Sequence, residues 1–274
     1  MSYRDEVLAD SPVAYWKLDE ASGTSAVDEV SNANPGTYTG PCVLAATPLA
    51  DGKSVTFNDV DTWVDIGDVA ALDFGTGDFT VEGWFSSTAT ANWGIVASKR
   101  ASTSVGAAGW YIGVNGSTNF IFSICDGVAQ VTLDTTSAAA YLDGSPHHIV
   151  GVRRAGTPEI YVNGVLLQSG TNNSYNVDNV DSIRIGRTGE ASTHWNGRLD
   201  EVAVYNTAIS LTRIITHYNA GKMGGGIYDD RWRTRPSVLT SGTSTLGTKR
   251  SVWPDDALDG GQRDALADYR SRDV

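Results

Sequence analysis

The chain is short of several things, and each shortage removes a class of protein. Its two cysteines, Cys42 and Cys125, stand far apart in 274 residues, too few for a disulfide framework and without the spacing of a CxxC metal or redox site. No apolar run approaches the roughly 20 residues of a membrane span. Residues 1–6 (Met-Ser-Tyr-Arg-Asp-Glu) are not a signal peptide, so the chain is expected to be made without a secretion address. Basic residues are outnumbered 20 to 32, a net charge of −12, which argues against nucleic acid and anionic membranes as partners. Glutamate is scarce, 7 against 25 Asp, where a helical protein would be rich in it. No P-loop, dinucleotide fingerprint or Gly-x-Ser-x-Gly nucleophile elbow is present.

What the chain does have is turn chemistry. Its 30 Gly, with abundant Asp, Asn, Ser and Thr, suit short strands joined by tight turns. Ten apolar or alternating runs lie between turn signals, at 54–57, 63–66, 79–85, 93–97, 110–114, 120–124, 128–133, 148–153, 159–162 and 182–185, and predict a β-sandwich. Asn163-Gly164, between Ile160-Tyr161-Val162 and Val165-Leu166-Leu167, predicts a type I′ hairpin. In residues 197–205, Leu199, Glu201, Ala203 and Tyr205 alternate with Asp200, Val202 and Val204, as in a strand with one face in a core. Ser210 then reads as a helix cap, with Leu211, Ile214, Ile215 and Tyr218 at helical spacing and Gly221 as the stop.

Gly-Arg-Leu-Asp-Glu-Val-Ala-Val-Tyr at 197–205 resembles the C-terminal signature of LamG-like domains, the laminin G and concanavalin A-like jelly rolls. Other signatures follow in family order: Pro12-Val13-Ala14-Tyr15-Trp16-Lys17-Leu18-Asp19-Glu20, then Asp28, Asn32, Asn34 and Gly36; Ser54-Val55-Thr56-Phe57, Val64-Asp65-Ile66 and Phe79-Thr80-Val81-Glu82-Gly83-Trp84-Phe85; Asp143-Gly144, His147-His148-Ile149-Val150 and Ile160-Tyr161-Val162-Asn163-Gly164. The resemblance covers about the first 220 residues and implies an all-β, two-sheet antiparallel jelly-roll sandwich over 1–221 with one short C-terminal helix.

The resemblance also implies a calcium ion between the N-terminal Asp/Asn loop and the C-terminal signature, held by Asp28, Asn32 and Asp200. Calcium takes six to eight oxygen ligands; the alternative is that these are turn-forming residues at the sandwich rim. A glycan site needs an aromatic face with polar groups at its edge. Trp16 and Trp84 lie within strand patterns and are assigned to the core, whereas Trp93, Trp110, His194 and Trp195 sit beside turn-like sequence and are the ligand candidates, packing roles being the alternative for each. Arg100, Arg187 and Arg198 are candidate polar contacts. The related glucanases carry Glu-x-Asp-x-x-Glu, which sets two carboxylates on one strand face. This chain has no such motif and is expected to be no enzyme. His147-His148 is read as the start of a core strand.

Beyond Gly221 the character changes: residues 222–274, with a triglycine break at 224–226, have little periodicity and too little apolar surface to fold alone. They read as an extended attachment tail, with Arg231, Trp232, Arg233, Arg235 and Trp253 as its partner contacts. The expected function is a virion component of a bacteriophage, a minor tail or capsid decoration protein, which displays a lectin-like domain to host-surface glycans and binds other virion proteins and sister copies through the tail. The alternatives are an extracellular carbohydrate-binding or adhesion module of a bacterial surface protein, and a glycoside hydrolase.

Overall fold

The computed structural model describes residues 1–90 and 93–224. Helix α1 (Tyr3–Ala9) opens with a capping box, in which Ser2 Oγ accepts from the Asp5 N–H and the Asp5 carboxylate accepts from the Ser2 N–H. The strands are β1 (Ala14–Trp16), β2 (Ser25–Ala26), β3 (Gly36–Thr39), β4 (Val43–Ala46), β5 (Ser54–Asn58), β6 (Trp63–Gly67), β7 (Phe79–Ser86), β8 (Gly94–Lys99), β9 (Gly109–Val114), β10 (Phe120–Cys125), β11 (Gln130–Asp134), β12 (His147–Arg154), β13 (Thr157–Val162), β14 (Val165–Ser169), β15 (Ile183–Ile185) and β16 (Asn196–Tyr205). Helix α2 (Leu211–Gly224) closes the described part.

The strands form two antiparallel sheets. One runs β14-β13-β12-β7-β16-β5-β4, with β1 also paired to β16; the other runs β11-β10-β9-β8-β15-β6-β3-β2. Alternation along β7 explains the layering. Phe79, Val81 and Phe85 enter the core between the sheets, against Trp110, Ile112 and Phe122 of the second sheet. Trp84, from the other set, belongs to a second apolar cluster with Tyr3 and Val7 of α1 and Ile214 of α2. The centre of the first sheet is therefore buried on both faces, which is why β7 and the end of β16 carry no exposed positions while edge strands β14 and β4 do.

Three expectations hold. All ten runs are strands, the 163–164 hairpin has φ of 53° and 79°, as a type I′ turn requires, and His147-His148 opens β12. Two are corrected. Strict alternation in 197–205 breaks at Glu201, whose φ of 55° marks a bulge in the register between Asp200 and Ala203. Leu199, Val202 and Val204 consequently share the inner core while Ala203 and Tyr205 face the helices. Gly221 does not stop α2, which continues to Gly224; it is small because a Cβ there would stand 2.3 Å from Cζ2 of Trp84. The expected partner residues Arg231, Trp232, Arg233, Arg235 and Trp253 lie outside the described residues.

Candidate functional site

At one end of the sandwich a shallow depression lies where β7 ends, β8 begins and the chain enters β16. Its lining includes Ser87, Trp93, Leu142, His194, Trp195 and Asn196. Trp93 stands at this site with 37 % of its surface exposed, the largest exposed aromatic side chain described. Beneath it Trp195 is 2 % exposed, its ring edge-on to Phe85 at 5.6 Å. Gly94 is required there, since a Cβ would stand 3.0 Å from Cε3 of Trp195. Ser87 Oγ donates to the Asn196 carbonyl at 2.6 Å and accepts from the Ala89 N–H at 2.9 Å, which fixes the polar edge.

His194 joins this depression to Arg187. Its Nδ1 faces the Ala191 carbonyl at 2.8 Å and must carry the hydrogen, so its Nε2 accepts from Arg187 Nη1 at 3.3 Å. Burial and the neighbouring guanidinium hold His194 below its ordinary pKa, with the Ala191 carbonyl opposing, so the ring is neutral. Arg187 also donates through Nε to the Thr188 carbonyl and through Nη2 to the Gly189 carbonyl, at 2.7 and 2.6 Å. Its guanidinium lies 4.5 Å from the centre of the Trp63 ring. The loop is internally braced: Thr188 and Thr193 hydroxyls meet at 2.9 Å and the Glu190 N–H donates to Thr188 Oγ1 at 3.1 Å.

The structure thus brings together Trp93, His194 and Trp195 of the expected ligand residues, but corrects two of their roles. Trp110 is 0 % exposed in the inter-sheet core, with Phe79 at 5.9 Å; its place on the inward face of β9 leaves no surface for a ligand. Trp195 forms the floor under the depression and offers no open face. Arg100 is likewise buried, over the Tyr111 ring at 5.2 Å and bonded to Ser123, Ser104 and Gln130. Arg198 binds the Thr47 carbonyl and Ser86 Oγ. Sequence reasoning missed Trp63, whose place in the alternating run 63–66 gave no sign that an arginine would cover its ring.

The calcium-ligand residues are differently engaged. Asp28 Oδ1 accepts from the N–H groups of Tyr15 and Val30 at 3.0 and 3.1 Å, and Oδ2 from the N–H and Nδ2 of Asn34 at 3.2 and 3.1 Å. Asp200 Oδ2 accepts from the Leu49 and Ala50 N–H groups at 2.9 and 3.3 Å. Asn32 adopts a φ of 50° in the turn after Asp28. Both Asp28 oxygens and Asp200 Oδ2 thus face N–H donors, whereas the buried Asp200 Oδ1 has no hydrogen-bond partner; calcium requires converging oxygen lone pairs. Among the described residues no group of three or more His, Cys, Asp or Glu is placed to share an ion. Asp28 is turned to N–H donors and Asp200 keeps one buried oxygen unpartnered, so calcium at Asp28, Asn32 and Asp200 stands as what the resemblance implies. Burial, and then the Glu201 carboxylate beside it, instead push Asp200 well above the carboxylate range, and burial does the same to Glu201, so this pair favours holding a proton.

A third cluster of titratable groups lies under the helices. Glu82 accepts from His148 Nε2 at 2.9 Å, from Tyr205 Oη, and from His217 Nδ1 at 3.0 Å. Burial raises the Glu82 pKa, but His217 and His148 outweigh it and hold the carboxyl far below its ordinary value. All these side chains are buried, so their perturbed acidity serves the fold.

The concanavalin A-like lectin/glucanases superfamily matches residues 58–215, more than half of the chain. No curated protein sequence matches it. Solved structures share the fold. The binding domain of Paraclostridial Mosquitocidal Protein 1 is 15 % identical with a TM-score of 0.62, over 78 % of this chain and 53 % of that one. A botulinum neurotoxin type C structure, whose cell entry depends on two ganglioside molecules, is 12 % identical with a TM-score of 0.58, over 78 % and 52 %. Domain 4 of the extracellular arabinanase AbnA from Geobacillus stearothermophilus, in complex with arabinotriose, is 18 % identical with a TM-score of 0.56, over 76 % and 98 %. The chain thus spans about half the length of the two toxin structures and nearly all of the arabinanase domain. Among the described residues no helix is long and apolar enough to cross a membrane.

Proposed function

We propose, on the premise that this chain belongs to the concanavalin A-like lectin/glucanases superfamily, that it is a non-catalytic glycan-binding domain carried on a bacteriophage particle through residues 222–274. The observation that carries the glycan reading is Trp93, an exposed indole at a depression with polar edges and a rigid floor. A sugar ring stacks its C–H face on such an indole while its hydroxyls bond the edge groups. The ligand class is supported by analogy with the arabinotriose-bound arabinanase domain and the ganglioside-dependent neurotoxin.

The non-catalytic reading is supported by where the unusual carboxylates lie. Glu82, Asp200 and Glu201 are the acids whose environments would suit acid–base work, and each is fully buried on hydrogen bonds or hydrophobic packing away from Trp93. The virion reading rests on the sequence of the tail, with its triglycine break and tryptophans set among arginines.

Glycan-array binding by the full chain, lost on Trp93→Ala, tests the first part; an array without signal above background rejects it. Substituting Trp232 and Trp253 together with Ala tests the second. The double variant should fail to incorporate into particles while still binding glycan, and normal incorporation would remove the attachment role.

A further inference from the structure

Arg187 has no carboxylate at ion-pair distance among the described residues. The chain carries 32 acidic residues against 20 basic ones, and the neighbouring half-buried Arg184 pairs with Asp65 at 3.4 Å, although buried Arg100 and Arg153 and half-buried Arg198, like Arg187, are held by carbonyl, hydroxyl or amide oxygens. The partners of Arg187 are two backbone carbonyls and the neutral Nε2 of His194. None of these carries a negative charge, and the Asp65 carboxylate, paired with Arg184, acts on Arg187 only from beyond ion-pair distance.

The guanidinium is also held in place. It lies on the Trp63 ring, and the carbonyls that fix its Nε and Nη2 belong to a loop locked by the Thr188–Thr193 contact. Gly189 seats that loop, since a Cβ there would stand 2.2 Å from the Ala101 carbonyl oxygen. Five N–H bonds are available to a guanidinium and three are used, which leaves one on each terminal nitrogen. Two such N–H groups match the two oxygens of a carboxylate. Arg187 is half-buried and not sealed; it does not itself line the depression but touches His194, which does.

We infer that Arg187 is a specificity-determining residue of the Trp93 site and that the glycan it selects bears a carboxylate, as uronic and sialic acids do. This rests on the glycan reading above. Trp93 supplies stacking that any sugar ring can use. Arg187 supplies a charge to which an acidic sugar responds and a neutral one does not, and an ion pair formed beside the Trp63 ring is partly shielded from water.

The test uses the full chain and matched ligands: an array of uronic- and sialic-acid-bearing glycans beside the same glycans with carboxyls methyl-esterified or reduced. The intact chain should bind the acidic forms at least tenfold more tightly, and added salt should erode the difference. Arg187→Gln should bring acidic and neutral forms to equal affinity, and Arg187→Lys should keep part of the preference. Equal binding of acidic and esterified glycans by the intact chain overturns the inference while leaving the glycan reading in place. Absence of binding to any form overturns both. The ligand-side comparison needs no folded variant, so a misfolded Arg187→Gln does not spoil it.

Discussion

His217 of α2 reaches through the first sheet's outer face to Glu82 of β7, its Nδ1 3.0 Å from one carboxylate oxygen, while its Nε2 stands 2.9 Å from Asp10 beyond α1. One imidazole thus ties both helices to the centre of the sheet. Burial opposes its charge, but Glu82 and Asp10 prevail and raise its pKa above the ordinary 6.5.

The sign of the resulting pH dependence follows from that shift. A histidine whose folded pKa is raised contributes stability that is complete below 6.5 and is lost as pH rises through the folded value. The raised pKa values of Asp200 and Glu201 act in the same direction, because the protonated carboxyls favoured in the fold must ionise. Denaturant melts from pH 6 to pH 9 should show falling stability. His217→Gln should flatten part of that slope and cost about 3–5 kcal/mol at pH 6, since it leaves Glu82 buried without its main partner. A pH-independent variant penalty would show His217 to be neutral in the fold.

Two of the three tryptophans weighed as ligand platforms, Trp93 and Trp110, should separate by stability. Trp93→Ala should leave stability within about 1 kcal/mol, as at an exposed site. Trp110→Ala should cost about 3–5 kcal/mol, because it empties the core between β7 and β9. Urea unfolding of both variants decides this, and similar losses for the two would place Trp93 in the core.

Gly221→Ala is a sharp test of how α2 is seated. In an open helix interior this change gains about 1 kcal/mol. Here the added Cβ would meet Trp84 at 2.3 Å and Ala50 at 3.0 Å, and overpacking of this kind costs about 1–3 kcal/mol. A lower Tm is expected; a higher one would mean α2 does not rest on Trp84.

Chelation separates a proton from a metal ion at Asp200. With both Asp28 oxygens and Asp200 Oδ2 on N–H donors and the Asp200–Glu201 pair favouring a proton, Tm should be the same with and without chelator. Asp200→Asn, which mimics the protonated acid and keeps an oxygen for Leu49 and Ala50, should be tolerated within about 1 kcal/mol at pH 8. A chelator-induced fall in Tm that Asp200→Ala abolishes would restore the ion, since a ligand bound only by the folded state stabilises by mass action.

Much of the sandwich was legible in the chain because it depends on local rules. Alternation over 79–85 and 148–153 marks strands whichever partner they meet, and Asn163-Gly164 closes its hairpin through backbone torsions alone. The site was half legible. Trp93 and His194 were found because turn residues precede them, whereas Trp110 follows equally turn-like sequence and yet lies on the inward face of β9. A glycine before a strand signals its start and says nothing of which face its first side chain takes.

By itself, then, the sequence determined the fold class, the strand runs and the hairpin turn, since periodicity and turn torsions act over a few residues. Tertiary structure alone decided that the centre of the first sheet is buried twice, that Gly221 is a contact and not a stop, that Glu201 shifts the phase of β16, and that Arg187 stands on Trp63 with no carboxylate at ion-pair distance among the described residues. Each of these depends on a neighbour more than 30 positions away in the chain or on a register that only sheet closure sets. No local pattern encodes which surface a distant segment will cover.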